Sequence, residues 1–315
     1  MKNDEGIAPV IAMLLILAVA ITLMALYYST YVPSLKEQAE INHLGEIEDE
    51  FLSFSSDIES AVWRKAEGKS SRNFELGGGE IFLSGLKSGG ILRVDSDDTL
   101  FGIVNSSGGV QNSSLVSVSY TPLNNFWQDQ GYSWQYGYVN LTTEYGENTP
   151  LQYTDMSRVE DDIKSSSGFF SSFVDIDYDT SVEFEKDLLG NLTGRVYQNC
   201  SGLEFTIVNM VEGDDDYTSG NGMAKLTLES EVISSNFTDS YAEFRIYDNI
   251  SGADDPVWLN INSELMEIES KGFDNICNLS CYSNADGGDL GKLSIELDEP
   301  VRMEYNIFNI AVSVN

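Results

Sequence analysis

The strongest constraint on this chain is an uncharged apolar stretch near its N-terminus, from Ile7 to Ser29. About 22 residues of α-helix span about 33 Å, which matches the hydrocarbon core of a bilayer. Tyr27, Tyr28 and Tyr31 follow where aromatic side chains line the boundary between lipid and water. The stretch is longer than the apolar part of a secretory signal, and no Ala-x-Ala cleavage site follows it. It therefore predicts a retained membrane-spanning helix over residues 7–31.

The helical pattern continues beyond this stretch. We expect Pro33 to kink or briefly interrupt the helix, which then continues outside the membrane to about Lys65, in a segment spanning residues 32–68. Acidic residues lie between the members of an apolar stripe, which is typical of an amphipathic helix. This stripe packs either on the protein's own globular domain alone or partly on neighbouring subunits as well. Its members are Ile41, Leu44, Ile47, Phe51, Phe54, Ile58 and Ala61.

The remainder, residues 69–315, changes to short runs of β-branched and aromatic residues separated by Gly, Asn, Asp and Ser, which indicates strands. The chain is therefore predicted to be α+β: a long N-terminal helix followed by a large, mostly antiparallel, β-sandwich-like domain. A subdivision near residues 146–172 is compatible with the pattern. Short helices are expected near Met156–Ser165 and Leu265–Ser270. The predicted strands are Glu80–Leu83, Ile91–Val94, Leu100–Val104, Leu115–Tyr120, Trp134–Leu141, Ser181–Glu185, Leu203–Val208, Ala224–Ser230, Tyr241–Tyr247, Lys292–Leu297 and Met303–Val314.

The charge of the chain restricts its partners. Fifty-one Asp and Glu residues against seventeen Lys and Arg give a formal net charge of −34. Such a surface repels phosphate backbones, and no basic cluster offsets the repulsion, so nucleic-acid binding is excluded. The acidity indicates either an exterior rich in salt, where self-repulsion is screened, or an acidic surface with no special habitat.

Eight Asn-x-Ser/Thr sequons lie on the C-terminal side of the apolar stretch. Together they predict an exported domain that carries sugars on surface loops. The acceptor residues are Asn105, Asn112, Asn140, Asn191, Asn199, Asn236, Asn249 and Asn278.

The three cysteines are too few for a disulfide framework. Cys277 and Cys281 are close enough in sequence to form a bridge across a turn, and either of them is also able to pair with Cys200. One disulfide with one remaining thiol is therefore expected outside the cell. A Cys/His zinc site is not expected, because the chain has a single histidine.

No motif predicts catalysis. His43, the only histidine, stands on the predicted helix just above the membrane, where it is unsuited to a Ser-His-Asp or Cys-His arrangement. A satisfied or solvent-facing helix histidine is favoured instead. The many acidic residues do not single out a pair for glycoside hydrolysis. We therefore expect no enzyme, no catalytic residue and no cofactor.

Three further patterns have structural interpretations. Asp175, Asp177 and Asp179 begin like a calcium loop, but no glycine and bidentate acid follow at the required positions, so a strand with its aspartates in water is favoured. Gly77–Gly79 is interpreted as a turn between helix and sheet. The aromatic stretch Phe126–Tyr138 is interpreted as core packing rather than a sugar-stacking surface. The acidic runs Asp95–Asp98, Asp214–Asp216 and Asp286–Asp289 are predicted to be turns that hold calcium weakly at most.

The N-terminus resembles a known family. A leader at residues 1–6 that ends in Gly6, followed by Ile7-Ala8-Pro9-Val10-Ile11, is similar to the start of archaeal type IV pilins. The resemblance implies cleavage between Gly6 and Ile7 by a membrane peptidase and packing of the mature helices in a filament core. The motif covers only the N-terminal helix; beyond it, the acidic helix followed by Asn73–Glu80 is more loosely similar to large pilin-like surface proteins of archaea. Asp4 and Glu5 stand beside the cleavage position, where the family usually has a basic residue.

The resemblance implies a structural subunit of an archaeal type IV pilus-like filament, and the length of the chain favours a minor subunit. Its partners would be membrane lipid and, through the N-terminal helix, itself or other pilin-like subunits. Its location would be the cell membrane, with a single span and the C-terminal domain outside. The alternatives are an uncleaved single-pass surface adhesin or envelope-associated binding protein and, as a third, a membrane-tethered glycan hydrolase.

Overall fold

The computed structural model describes residues 7–81, 84–135, 137–143, 148–153, 157–159, 161, 174–186, 190, 192–247, 270–283 and 289–315. Gly6 and two sequon residues, Asn191 and Asn249, lie outside this described part of the chain. So do most of the predicted short helices and most of the proposed subdivision at residues 146–172.

One helical column opens the fold. α1 covers Ile7–Leu26, a π-helical turn covers Tyr27–Tyr31, and α2 covers Val32–Arg64. The column is roughly 85 Å long at 1.5 Å per residue. The interruption expected at Pro33 takes the form of the π-helical turn that precedes it. Proline has no N–H, and its ring crowds the carbonyl four residues earlier, so a locally widened turn accommodates it.

The end of α2 lies close to the expected one. Lys65 has the left-handed conformation, with φ of +46°, and its N–H bonds the carbonyls of Ala61 and Val62. The helix therefore stops at Arg64, and residue 68 already belongs to the first strand.

The β domain has twelve strands in the described part of the chain. Their bounds are β1 Gly68–Glu75, β2 Gly89–Asn105, β3 Val110–Leu123, β4 Gln130–Gln135, β5 Tyr138–Thr143, β6 Asn148–Pro150, β7 Val174–Lys186, β8 Leu192–Glu212, β9 Tyr217–Gly220, β10 Met223–Tyr247, β11 Ile276–Ser283 and β12 Asp289–Val314.

Several predicted short strands are parts of longer ones. β2 joins two of them through Asp95–Asp98, which were expected to form a turn; there the pairing with β3 is shifted at Ser96 and Thr99. β10 and β12 each join two predicted strands in the same way and reach 25 and 26 residues. Polar residues resemble turn signals when they lie on the solvent face of a strand. Of the predicted strand Glu80–Leu83, only an isolated bridge between Ile81 and Ser84 is present in the described residues.

The strands form one sheet in the order β6-β5-β4-β3-β2-β10-β12-β8-β7, with β1 and β11 added at β10 and β12 and β9 at β2. Described pairs are antiparallel except β12 with β8. The sheet also curls until β3 meets β8, where the Ser114 amide donates to Asn209 Oδ1 at 3.0 Å and the Ser114 hydroxyl to the Met210 carbonyl at 3.0 Å. The α+β class with a mostly antiparallel domain is thus confirmed, and the curl of the sheet brings β3 against β8.

The apolar stripe of α2 packs on this sheet. Phe51 is fully buried, with its ring 5.4 Å from Phe74 of β1. Phe54 lies 5.8 Å from the ring of Trp134 in β4. The stripe members from Leu44 to Ile58 are all buried, whereas Ile41 is exposed. The stripe therefore packs on the protein's own domain, which was one of its two interpretations from the sequence.

Polar contacts hold the same interface in register. The Arg72 guanidinium of β1 donates two hydrogen bonds to the carboxylate of Asp57, at 2.8 and 2.9 Å. The indole N–H of Trp134 donates to Ser55 Oγ at 3.1 Å, and that hydroxyl donates to the Gly137 carbonyl at 2.8 Å. Bidentate charged bonds of this kind add geometric specificity to the apolar contact.

We predict that Phe51→Ala destabilises the folded domain by about 3–5 kcal/mol, because it removes a fully buried aromatic side chain and leaves a cavity. Chemical denaturation of the detergent-solubilised full chain measures the change. Ile41→Ala on the same helix is the matched control and should change the unfolding free energy little, since Ile41 is exposed. Equal losses in the two variants would contradict the assigned interface.

Candidate functional site

The first feature of the site is the bare apolar surface of α1. Every side chain from Pro9 to Leu26 is exposed, and the segment contains no charge. In the described part of the chain this helical column is the one stretch long and apolar enough to cross a membrane. An exposed apolar surface of this extent requires a cover of lipid or protein.

The second feature is the junction at which α2 enters the β domain. Val32 is the first buried residue of the column, with 8% of its surface exposed. Lys36, Glu40 and His43 follow at helical spacing and are also buried. The buried face thus continues toward α1 as a polar surface. The stripe predicted from the sequence begins at Ile41 and omits these residues, although their spacing of four and three extends it backward.

Lys36 ties α2 to two loops of the β domain. Its Nζ donates to the Leu86 carbonyl at 2.7 Å and lies 4.0 Å from the centre of the Phe126 ring. Burial lowers the pKa of Lys36, and the nearby charge of Glu40 partly offsets this. The ammonium group therefore exchanges water for a carbonyl and an aromatic face, both of which favour a cation.

Glu40 is fully buried beside it. Its Oε1 accepts a hydrogen bond from Ser88 Oγ at 3.1 Å, and the Gly78 amide donates to that same hydroxyl at 2.8 Å. Oε2 has no hydrogen-bond partner among the described residues. A buried carboxylate oxygen without a partner costs free energy. The hydrogen bond between Glu40 and Ser88 therefore positions the loop that carries Ser88 at a cost in stability.

His43 completes the junction. The Tyr120 hydroxyl donates its hydrogen to the Leu76 carbonyl at 3.0 Å. In its 3.2 Å contact with His43 Nε2 the same hydroxyl must therefore accept, so we assign the ring hydrogen of His43 to Nε2. Burial lowers the pKa of His43, while the carboxylates of Glu40, Glu75 and Glu46 oppose the shift. His43 is therefore a neutral, hydrogen-bonded helix residue, which was one of the two roles expected for it.

The segment Gly77–Gly79 lies against this polar face. It follows β1, so the interpretation as a turn between helix and sheet is wrong. A Cβ on Gly78 would lie 2.6 Å from the His43 ring, and one on Gly79 would lie 2.5 Å from the Phe126 ring. Gly79 also has φ of +76°, a conformation that favours glycine. The glycines allow the backbone to reach the helix.

The described residues of the junction form no arrangement that indicates catalysis. Its histidine is engaged with a tyrosine, and no group of three His, Cys, Asp or Glu side chains able to hold a metal occurs among the described residues. Asp175, Asp177 and Asp179 lie exposed on β7, as the strand interpretation of this stretch requires. What the junction does is fix the helical column to the β domain.

Neither of the two cysteines whose side chains the structure describes forms a disulfide. Cys200 is a buried free thiol and Cys277 an exposed one. The expected bridge across a turn fails because Cys277 and Cys281 both lie on β11. Four residues of extended strand span about 13 Å, beyond the roughly 7 Å that a disulfide permits between Cα atoms.

The described sequon residues lie mainly on strands rather than on loops. Asn140 is buried, so the folded domain has no room for a glycan there. Asn105 is half-buried, and its Oδ1 accepts bonds from Ser107 and Gly109. The exposed acceptors, for which glycosylation stays a prediction, are Asn112, Asn199, Asn236 and Asn278.

Comparisons with protein-family models, with curated proteins and with solved structures found no match to this chain.

We predict that His43 makes the fold less stable at acidic pH. Because its pKa is lower in the folded chain than when unfolded, its contribution is complete above about pH 6.5 and is lost as pH falls through the folded pKa. The melting temperature of the wild type, relative to that of His43→Gln, should therefore decrease from pH 7.5 to pH 5. A constant difference between the two proteins would contradict this role.

We predict that a Cys281→Ser protein exposes one reactive thiol when native and two when unfolded. Burial raises the pKa of Cys200 to about 11, so this thiol is both shielded and scarcely ionised. Mass spectrometry after maleimide treatment should locate the native label on Cys277. Absence of a label under native conditions, followed by two labels after reduction, would reveal a disulfide between Cys200 and Cys277.

Proposed function

We propose that this protein is a minor structural subunit of an archaeal type IV pilus-like surface filament. The observation that carries the proposal is α1: an uncharged helix, exposed from Pro9 to Leu26, that continues directly into a helix held by the β domain. The resemblance of the residues around Gly6 and Ile7 to archaeal pilins supports the same conclusion. In this role the protein is structural and not an enzyme.

Assembly would proceed by exchange of one apolar surrounding for another. Before assembly, α1 is covered by lipid; afterwards, α1 helices of successive subunits cover one another. A helix that presents the same surface to each neighbour gives a head-to-tail arrangement, which grows as an open helical polymer. The face of α2 from Leu44 to Ile58 takes no part, because the β domain already covers it.

The β domain would form the outer coat. Its acidic side chains keep such a surface hydrated, and salt screens their mutual repulsion when subunits stack. The exposed sequon residues, among them Asn112 and Asn236, would present sugars to the exterior. The C-terminal domain then lies outside the cell, with α1 as the single span.

The proposal predicts that the surface form of the protein begins at Ile7. N-terminal mass spectrometry of purified surface filaments checks this, and Gly6→Leu should block both processing and incorporation into filaments. Gly68→Leu is the matched control, because a Cβ at Gly68 meets no atom within 4 Å. Filaments that contain the intact leader would contradict the cleavage, and absence of the protein from all filaments would contradict the function.

A second candidate, an uncleaved surface adhesin or envelope-associated binding protein, is favoured by the hairpin of β7 and β8. β1 starts at the end of α2 and runs back toward α1. β10 pairs antiparallel with β1, β12 pairs antiparallel with β10, and β8 pairs parallel with β12. β8 therefore starts at the end of the domain far from α1. One face of the hairpin there exposes Val182, Phe184, Leu192 and Val196. Monomeric, uncleaved protein in the membrane, with no filament fraction, would support this second candidate.

A further inference from the structure

Large apolar side chains are also exposed at the opposite end of the β domain, nearest to α1. Leu86 is 72% exposed, Trp127 40% and Leu123 37%. We name these three residues the apolar collar. The described part of the domain leaves these three side chains uncovered. Their position relative to the helical column indicates what covers them.

The contacts of Lys36 place the collar beside the column. The carbonyl that accepts its ammonium hydrogen bond belongs to Leu86. The ring beneath the same ammonium belongs to Phe126, the residue before Trp127. Leu123 pairs with Gly89 at the start of β2, immediately after the Leu86 loop. The collar therefore lies beside the buried face of the first part of α2.

The distance along the helix axis from the end of the apolar span to the level of the collar follows from helix geometry. Lys36 lies five residues beyond Tyr31, which is about 7.5 Å along the axis. Val32, only one residue beyond Tyr31, is already buried. The polar headgroup layer of a bilayer is about 5–7.5 Å thick on each side, so the level of Lys36 falls at its outer edge. If the tyrosines mark the lipid–water boundary, the collar lies at the level of the headgroups.

We propose that the apolar collar rests in the headgroup layer of the membrane that holds α1, so that the β domain contacts lipid directly. This inference rests on the membrane anchor of the proposed function and concerns the protein before assembly. Trp and Leu are suited to the place, since an indole ring sits favourably at the lipid–water interface. The collar lies at the end of the β domain from which α1 extends into the membrane, which makes lipid the occupant.

The lipid in question is zwitterionic. A net charge of −34 disfavours close approach to an anionic bilayer. The lysine next to the collar, Lys87, is already paired with Glu75 and Glu80, at 3.2 and 2.7 Å. Apolar contact, rather than attraction between charges, therefore holds the collar to the headgroups.

Tryptophan fluorescence tests the proposal in the full chain reconstituted in phosphatidylcholine vesicles, with and without phosphatidylcholine that carries a nitroxide on its headgroup. The nitroxide should quench part of the emission, and Trp127→Phe should remove most of that quenching. Trp63→Phe is the matched control: Trp63 is exposed near the other end of α2, about 40 Å from Lys36, and should not contribute. Trp258, outside the described residues, is present in both variants.

Equal quenching in Trp127→Phe and the wild type would overturn the proposal, as would absence of quenching in protein that floats with the vesicles. Protein that fails to float would overturn the membrane anchor and this inference together. A failure of filament formation alone would leave the quenching unchanged, so the two proposals are separable.

Discussion

The packing of α2 on the β domain is the interaction on which the rest of the structure depends. Phe51 packs on Phe74 of β1 and Phe54 on Trp134 of β4, and the bidentate bond between Arg72 and Asp57 sets the register of the helix on the sheet. Because α1 continues into α2 through one π-helical turn, this contact also determines where the domain stands relative to α1. A helix that packs on its own domain over half its length leaves the other half available for a different surrounding.

The polar junction gives the same column a second point of attachment. Lys36 and Glu40 bond to the Leu86 carbonyl and the Ser88 hydroxyl, so a loop, and not only a sheet face, is tied to the helix. An apolar face would provide this attachment without the cost of burying charge. The polar groups add geometric specificity, because each of them bonds to one particular atom of the loop. The cost is visible in the unpartnered oxygen of Glu40.

Much of the fold was predictable from the sequence, and the errors have a common cause. Strands were recognised, but turn-prone residues such as Asp95–Asp98 were assigned to turns although they continue β2. The same assumption placed a turn between Cys277 and Cys281, which lie on one strand. Local residue preferences do not reveal whether a polar run leaves the sheet or lies on its solvent face. The junction was missed because charged residues are taken to be exposed unless a partner is known.

By itself, the sequence determined the uncharged helix at the N-terminus, the amphipathic helix after it and the β-rich remainder, because each depends on a local period of apolar residues. Only the tertiary structure decided that the stripe of α2 packs on its own sheet, that Lys36 and Glu40 are buried, and that Asn140 is inaccessible. These features depend on which distant segments meet, as when β3 closes on β8. Contacts between residues far apart in sequence leave no periodic signal along the chain.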